Sequence, residues 1–216
     1  MPKPIIIFDF DGTIADTFNL MLDVSNRLAD EFNFYKIQPF EVETFRNKTS
    51  FQVLSSLQIP FFKIPKILLK VRAEVAKQMS SVKPFPDIVD ILRQLKPLSQ
   101  QMGIMTTNSS QNVKHFLENY QLTLFDFIIP TSRMSQKYTE LKKFKKSSLP
   151  NQPIIYIGDE TRDVDAAKRT RVTSIAVTWG YNSQKVLEAH QPDYLVESPQ
   201  KLLEVCELFL KRIDRT

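Results

Sequence analysis

Glycine is the residue this chain of 216 uses least freely: four are present, where average usage of about 7% would give roughly fifteen. Their positions therefore carry information. Gly12, Gly158 and Gly180 follow stretches that read as strands, and Gly103 opens another. A single cysteine excludes an internal disulfide, and Cys206, set among Leu202, Leu203, Phe209 and Leu210 at helical spacing, reads as core. No run approaches the ~18 apolar residues of a membrane span. The apolar opening ends at Asp9, too soon for a secretory leader, so a cytoplasmic location is expected. The two histidines, His115 and His190, lack metal-ligand spacing, and no G-x-S-x-G marks a nucleophilic serine.

What is present fits a globular protein: 42% hydrophobic and 25% charged residues, in a length that allows one sizeable core with a small accessory domain. The net charge of +5 favours anionic partners, which covers phosphate esters, nucleic acids and acidic membranes alike. The densest basic cluster, Lys137 to Lys146, carries Leu141 and Phe144 as a helical stripe and reads as a solvated face. It lacks the aromatic interleaving of a nucleic-acid site, so neither nucleic acid nor membrane is expected as a partner.

The chain divides by pattern. Pro4 to Phe8 reads as a strand buried on both faces. From Asp16 to about Lys83 the signals are helical: Leu20, Val24, Leu28 and Phe32, widened by Leu22 and Ala29; then Thr49 to Leu57, capped by Thr49 or Ser50; then Lys63 to Met79. From Pro84 strands and helices alternate, which predicts a parallel sheet with helical crossovers. Strands are expected at 101–107, 125–129, 153–157, 173–178 and 194–196. Helices are expected at 87–95, from Ser109 or Ser110 to Tyr120, and at 137–148, 161–170, 184–189 and 199–212. The predicted class is α/β, a Rossmann-like core of residues 1–15 and 84–216 with helices on both faces, and a helical cap, residues 16–83, inserted after the first strand.

The first strand ends in Asp9-Phe10-Asp11-Gly12-Thr13. Period-two alternation would point both carboxylates to one side, where they need a cation, a shared proton or hydrogen-bond donors. That implies a metal site or an acid/base pair, against the plainer reading of a solvated corner. A calcium loop is excluded, because Gly12 stands fourth and Thr13 fifth where that loop wants an acid fifth and glycine sixth. Ligands of open α/β sheets bind beyond the carboxyl ends of the strands. The other ends offer Thr106, Thr107 and Asn108, and then Gly158, Asp159, Glu160 and Asp163. So many carboxylates suit magnesium, which is held by one or two of them plus substrate phosphate.

In order along the chain, Asp9-x-Asp11-Gly12-Thr13, Thr107-Asn108, a lysine after the next strand and Gly158-Asp159-x-x-x-Asp163 resemble the four motifs of the haloacid-dehalogenase-like hydrolases. The resemblance spans nearly the whole chain and is greatest to the phosphoglycolate-phosphatase-like members, which Trp179-Gly180-Tyr181-Asn182 and Pro192-Asp193-Tyr194 also match. It implies a magnesium-dependent phosphatase of a small phosphorylated metabolite, with Asp9 as nucleophile and Asp11 as general acid/base. Thr107 would hold the phosphoryl group, and Lys137 would offset charge, with Lys142 as fallback because Tyr138 stands where the family often has proline. Mg2+ would be held by Asp9, Asp11 through its carbonyl, and Asp159, supported by Asp163 or Glu160. Thr13 and Asn108, with Arg46 and Lys48 at the cap entry, would meet substrate. A phosphomutase, or an inactive relative that binds a phosphorylated ligand or a protein, are the alternatives. The family's helix after the last motif usually ends in glycine, whereas this chain has Thr170-Arg171-Val172. Arginine in a left-handed cap would cost about 1 kcal/mol, so a corner of different build is expected there.

Overall fold

The computed structural model describes residues 3–131 and 136–213. Its centre is β1 (Ile5–Phe8), four apolar residues buried on both faces. It lies between β2 (Gln101–Thr106) and β4 (Ile154–Gly158), and the sheet continues with β3 (Phe127–Pro130) outside β2 and with β5 (Thr173–Val177) and β6 (Tyr194–Val196) outside β4. All five pairings are parallel, in the order β3-β2-β1-β4-β5-β6. Strand order therefore reverses between β1 and β4, and a crevice opens at their carboxyl ends.

Alternation along β1 assigns the two faces. Ile6 and Phe8 join the larger apolar cluster, with Leu92 of α5 (Ile88–Leu95), Phe116 of α6 (Ser110–Asn119) and Leu202 of α10 (Pro199–Ile213). Ile5 and Ile7 join a second cluster, with Leu141 of α7 (Lys137–Ser147) and Ala166 and Ala167 of α8 (Thr161–Thr170). Burial on both sides explains a continuous apolar strand rather than an alternating one. Cys206 is buried in the larger cluster. The short α9 (Gln184–Ala189) packs through Leu187 on Ala176 of β5.

The inserted cap is helical. The predicted stripe buries Val24, Leu28, Ala29 and Phe32 of α1 (Phe18–Phe32), which packs on Ile67, Val71 and Val75 of α4 (Ile64–Lys77). Between them run α2 (Val42–Arg46) and α3 (Ser50–Ser56). Thr49 proves to be the cap of α3: its side chain accepts from the Gln52 N–H, and Gln52 returns the bond to the Thr49 N–H. Ser109 caps α6, its side chain accepting from the Asn112 N–H at 3.1 Å. The two connections to the core pair with each other, the Asp16 N–H donating to Lys83 O at 2.9 Å and the Phe85 N–H to Ile14 O at 3.0 Å.

The corner after α8 corrects the sequence expectation. Arg171 does adopt the left-handed conformation, at φ 54° and ψ 49°. The turn holds because Val172 N–H returns to Ala167 O at 2.9 Å while Lys145 Nζ donates to the carbonyls of Thr170 and Arg171 at 2.9 and 2.6 Å. Since these bonds involve Arg171 only through its backbone, Arg171→Gly keeps them and relieves the strain. The variant is expected to gain about 1 kcal/mol, a rise of roughly 2–4 °C in thermal midpoint; a lowered midpoint in a thermal melt would contradict this account.

Candidate active site

The crevice between β1 and β4 is lined with acid. Asp9 follows β1, Asp159 follows β4, and Asp163 sits one turn into α8. All three are buried, and each offers an oxygen within 4.8 Å of the others. Lys137, at the start of α7 and 1% exposed, reaches between them, with Nζ 2.5 Å from both Asp9 Oδ2 and Asp163 Oδ1. Of the two candidate lysines, this is the one that lies within the acidic cluster. Lys142 is exposed and stacks on Tyr138, its Nζ 5.5 Å from the ring centre. The solvated-face reading of the basic helix therefore fails at its first lysine.

Three carboxylates and one ammonium leave negative charge uncompensated in the interior. Burial raises Asp9 to about 7, against the opposing pull of Lys137. Burial, followed by the charges of Asp9, Glu160 and Asp163, holds Asp159 well above the usual carboxylate range. Burial works against the Lys137 ammonium, yet Asp163 and Asp9 keep its pKa above the ordinary value. A cluster of hard oxygen donors with surplus charge fits a divalent cation of the magnesium kind.

Backbone geometry brings this cluster together. Gly12 takes φ +79°, and a Cβ there would strike the Asp159 carboxylate and the Tyr181 ring. A Cβ on Gly180 would also strike Asp159, and the Gly12 carbonyl with it. Glycine is thus retained where other residues would push the carboxylate away. Thr13 donates from Oγ1 to Asp159 Oδ1 at 2.6 Å, and the Tyr181 N–H donates to Oδ2 at 2.8 Å. Thr13, expected to meet substrate, is fully buried and orients a carboxylate of the cluster instead.

Asp11 stands apart from the cluster. Pairing of β1 stops before it, so a loop rather than strand alternation aims its side chain, which receives Asn108 Nδ2 at 3.2 Å on both oxygens. Burial raises its pKa, and hydrogen bonds from Thr17 and Asn108 oppose that rise. Asp11, Thr107 and Asn108 line one end of a cavity that continues into the cap. A separately held carboxyl with raised pKa, beside a fixed carboxylate, is the arrangement that divides acid/base work from nucleophilic work.

Arg46 and Lys48 line the same cavity, but their donors are engaged. Arg46 Nη2 donates to Gly180 O at 2.8 Å and Nε to Tyr181 O at 3.3 Å, while Lys48 Nζ donates to Ser56 Oγ at 2.8 Å. Arg46 therefore fastens the cap to the core loop that supports Asp159. Asn182 Nδ2 answers by donating to the carbonyls of Arg46 and Lys48, at 3.1 and 2.9 Å. From α3, Ser50 Oγ donates to Glu160 Oε1 at 2.7 Å, and Glu160 pairs with Arg162. Burial opposes the Glu160 charge, but Arg162 keeps its pKa low. Arg162 escapes a reading of the sequence, because its number places it between two acids and only the fold brings it to the cavity wall.

A family model described as haloacid dehalogenase-like hydrolase matches residues 6–177. A Synechococcus elongatus protein named phosphoglycolate phosphatase is 30% identical over 209 residues, covering 96% of this chain and 99% of its own length. A pyrophosphatase of Bacillus velezensis is 24% identical over 206 residues, 93% of this chain and 94% of that one. Among solved structures, a haloacid dehalogenase-like hydrolase from Streptococcus pneumoniae superimposes with a TM-score of 0.77 at 22% identity, over 94% of this chain and 98% of its own.

Replacing Lys137 tests the charge balance. Lys137→Met leaves two buried carboxylates without their cation and is expected to cost about 3–5 kcal/mol at pH 8. At pH 5 the cost should be smaller. Asp9 has a folded pKa raised above its unfolded value, so its share of stability is present below pH 4 and is lost as pH rises through about 7. Removing the lysine extends that loss. Urea denaturation in chelator at the two pH values measures it, and an equal cost at both would contradict the balance described.

Proposed function

The chain belongs to the haloacid dehalogenase-like hydrolases, and from that premise we propose that it is a magnesium-dependent phosphatase working through an aspartyl-phosphate on Asp9. It is a phosphomonoester hydrolase, as the family and the phosphatase names among its relatives support. The observation that carries the mechanism is the separation of two roles: Asp9, buried against Lys137, and Asp11, held apart by Asn108. We take residues 16–83 as the cap and 1–15 with 84–216 as the core.

In the first step an Asp9 carboxylate oxygen attacks phosphorus while the ester P–O bond breaks, and Asp11 gives its proton to the departing oxygen. In the second, Asp11 takes a proton from water, whose oxygen attacks phosphorus and releases inorganic phosphate and Asp9. Thr107 and Asn108 line the place where the phosphoryl oxygens would sit. Lys137 offsets charge on Asp9 and keeps it oriented. Asp9, Asp159 and Asp163 would hold Mg2+, with the Asp11 carbonyl, and the ion supplies positive charge to offset that of the transferred phosphoryl group. The cap covers the site, and its closure would limit the access of water to the first step. The substrate is a small phosphorylated metabolite; phosphoglycolate, from the name of the Synechococcus relative, is the first to assay.

Phosphate release from an aryl phosphate should require magnesium and vanish in Asp9→Asn, a folded variant that forms no phosphoenzyme. Near-normal turnover by that variant would remove Asp9 as nucleophile. Asp11→Asn should lose about 10²- to 10⁴-fold in turnover yet still be stabilised by magnesium in a thermal melt. In wild type, magnesium should raise the melting midpoint more at pH 8 than at pH 5, because Asp9 binds a proton in the metal's place at the lower pH.

A further inference from the structure

The catalytic crevice does not end at the phosphoryl site. Together with the space beside Asp11, Thr107 and Asn108, it forms a cavity of about 270 Å³ that extends into the cap. Its far walls are apolar, built from Leu22 of α1, Phe45 of α2, Val53 of α3 and Ile67 of α4, with Phe34 and Leu57 between. The cap's apolar side chains fall into two groups, one holding Phe45 and Leu57 and the other Ile67, Val71 and Val75, and residues of both line the cavity. Leu22, Phe34 and Val53 consequently remain only partly buried although they point inward. Apolar surface left open to water favours an apolar occupant.

Resting on the phosphatase reading, the geometry points to a phosphate monoester whose leaving group is an apolar alkyl or aryl body seated in the cap. An apolar cavity of about 150 Å³ accepts a benzene ring, so a cavity of about 270 Å³ that also holds the phosphoryl end has room for an apolar body of about that size. A pocket with one polar, charged end and an apolar body matches a ligand that is itself charged at one end and apolar at the other. A carboxylate such as that of phosphoglycolate would stay at the polar end, beside Arg46, Lys48 and Arg162, and leave the apolar walls unfilled.

The test is a series of ethyl, butyl, hexyl and octyl phosphates, with phosphoglycolate alongside, assayed as kcat/KM with magnesium in wild type and in Ser25→Phe. Ser25 lies on α1, lines the cavity and is small, so phenylalanine there fills it. Each methylene seated should raise kcat/KM about two- to four-fold, giving at least ten-fold from ethyl to hexyl. Ser25→Phe should reduce that ratio at least five-fold. A flat or falling series, or phosphoglycolate exceeding hexyl phosphate, would overturn the inference while leaving the phosphatase reading intact. Absence of turnover on every ester would instead count against the phosphatase reading. In that case, and if Ser25→Phe does not fold, calorimetry of wild type with ethyl- and hexylphosphonate decides: tighter binding of the longer chain supports the apolar site, and equal affinities reject it.

Discussion

The structure depends on a group of buried carboxylates that the protein's own cations do not neutralise. Asp9 at the end of β1 meets Asp159 and Asp163 where β4 ends and α8 begins, and Lys137 is drawn in from α7 to lie between two of them. Such a group is stable only where every remaining donor is aimed at it. The loop after β1 contributes the Thr13 hydroxyl, and the loop after β5 the Tyr181 N–H. The parallel sheet supplies the rigid frame, since β1 and β4 are adjacent and both stop at the same edge.

The cap is joined to this frame by polar contacts that are mostly to backbone. Arg46 donates to the carbonyls of Gly180 and Tyr181, Asn182 to those of Arg46 and Lys48, and Ser50 to Glu160. Each such bond nets only about 1 kcal/mol against water, so the join is specific in register yet reversible. Because the same core loop carries Gly180 and Tyr181 against Asp159, the position of the cap and the orientation of a carboxylate in the cluster are mechanically linked.

Much of this was legible in the sequence. Period-two and period-3.6 patterns located the six strands among the described residues and the main helices to within a few residues, because those elements bury continuous faces. Acid at strand ends located Asp9, Asp159 and Asp163, since charge there demands a partner. Three things were not legible. The conformation of Arg171 depends on Lys145, which supports the corner from another helix. The roles of Thr13 and Arg46 depend on which donor reaches which acceptor across the fold, and neither spacing nor residue type encodes that. Arg162 reads as one more charge in a polar helix until the cap supplies Ser50 and Glu160 supplies a counter-charge.

The central position of β1 also bears on how the chain folds. Its register pairs Ile5 with Gln101 on one edge and with Ile154 on the other. The first strand made during synthesis must therefore wait for the whole cap before it gains one neighbour, and for most of the chain before it gains the second. During that interval it is a short, fully apolar segment with unpaired edges, the kind of species that aggregates or engages chaperones. The acidic cluster cannot form before β4 and α8 have been made, because Asp159 and Asp163 lie there. A chain stalled before β4 thus carries one of the three clustered carboxylates and lacks the charge that a cation would balance.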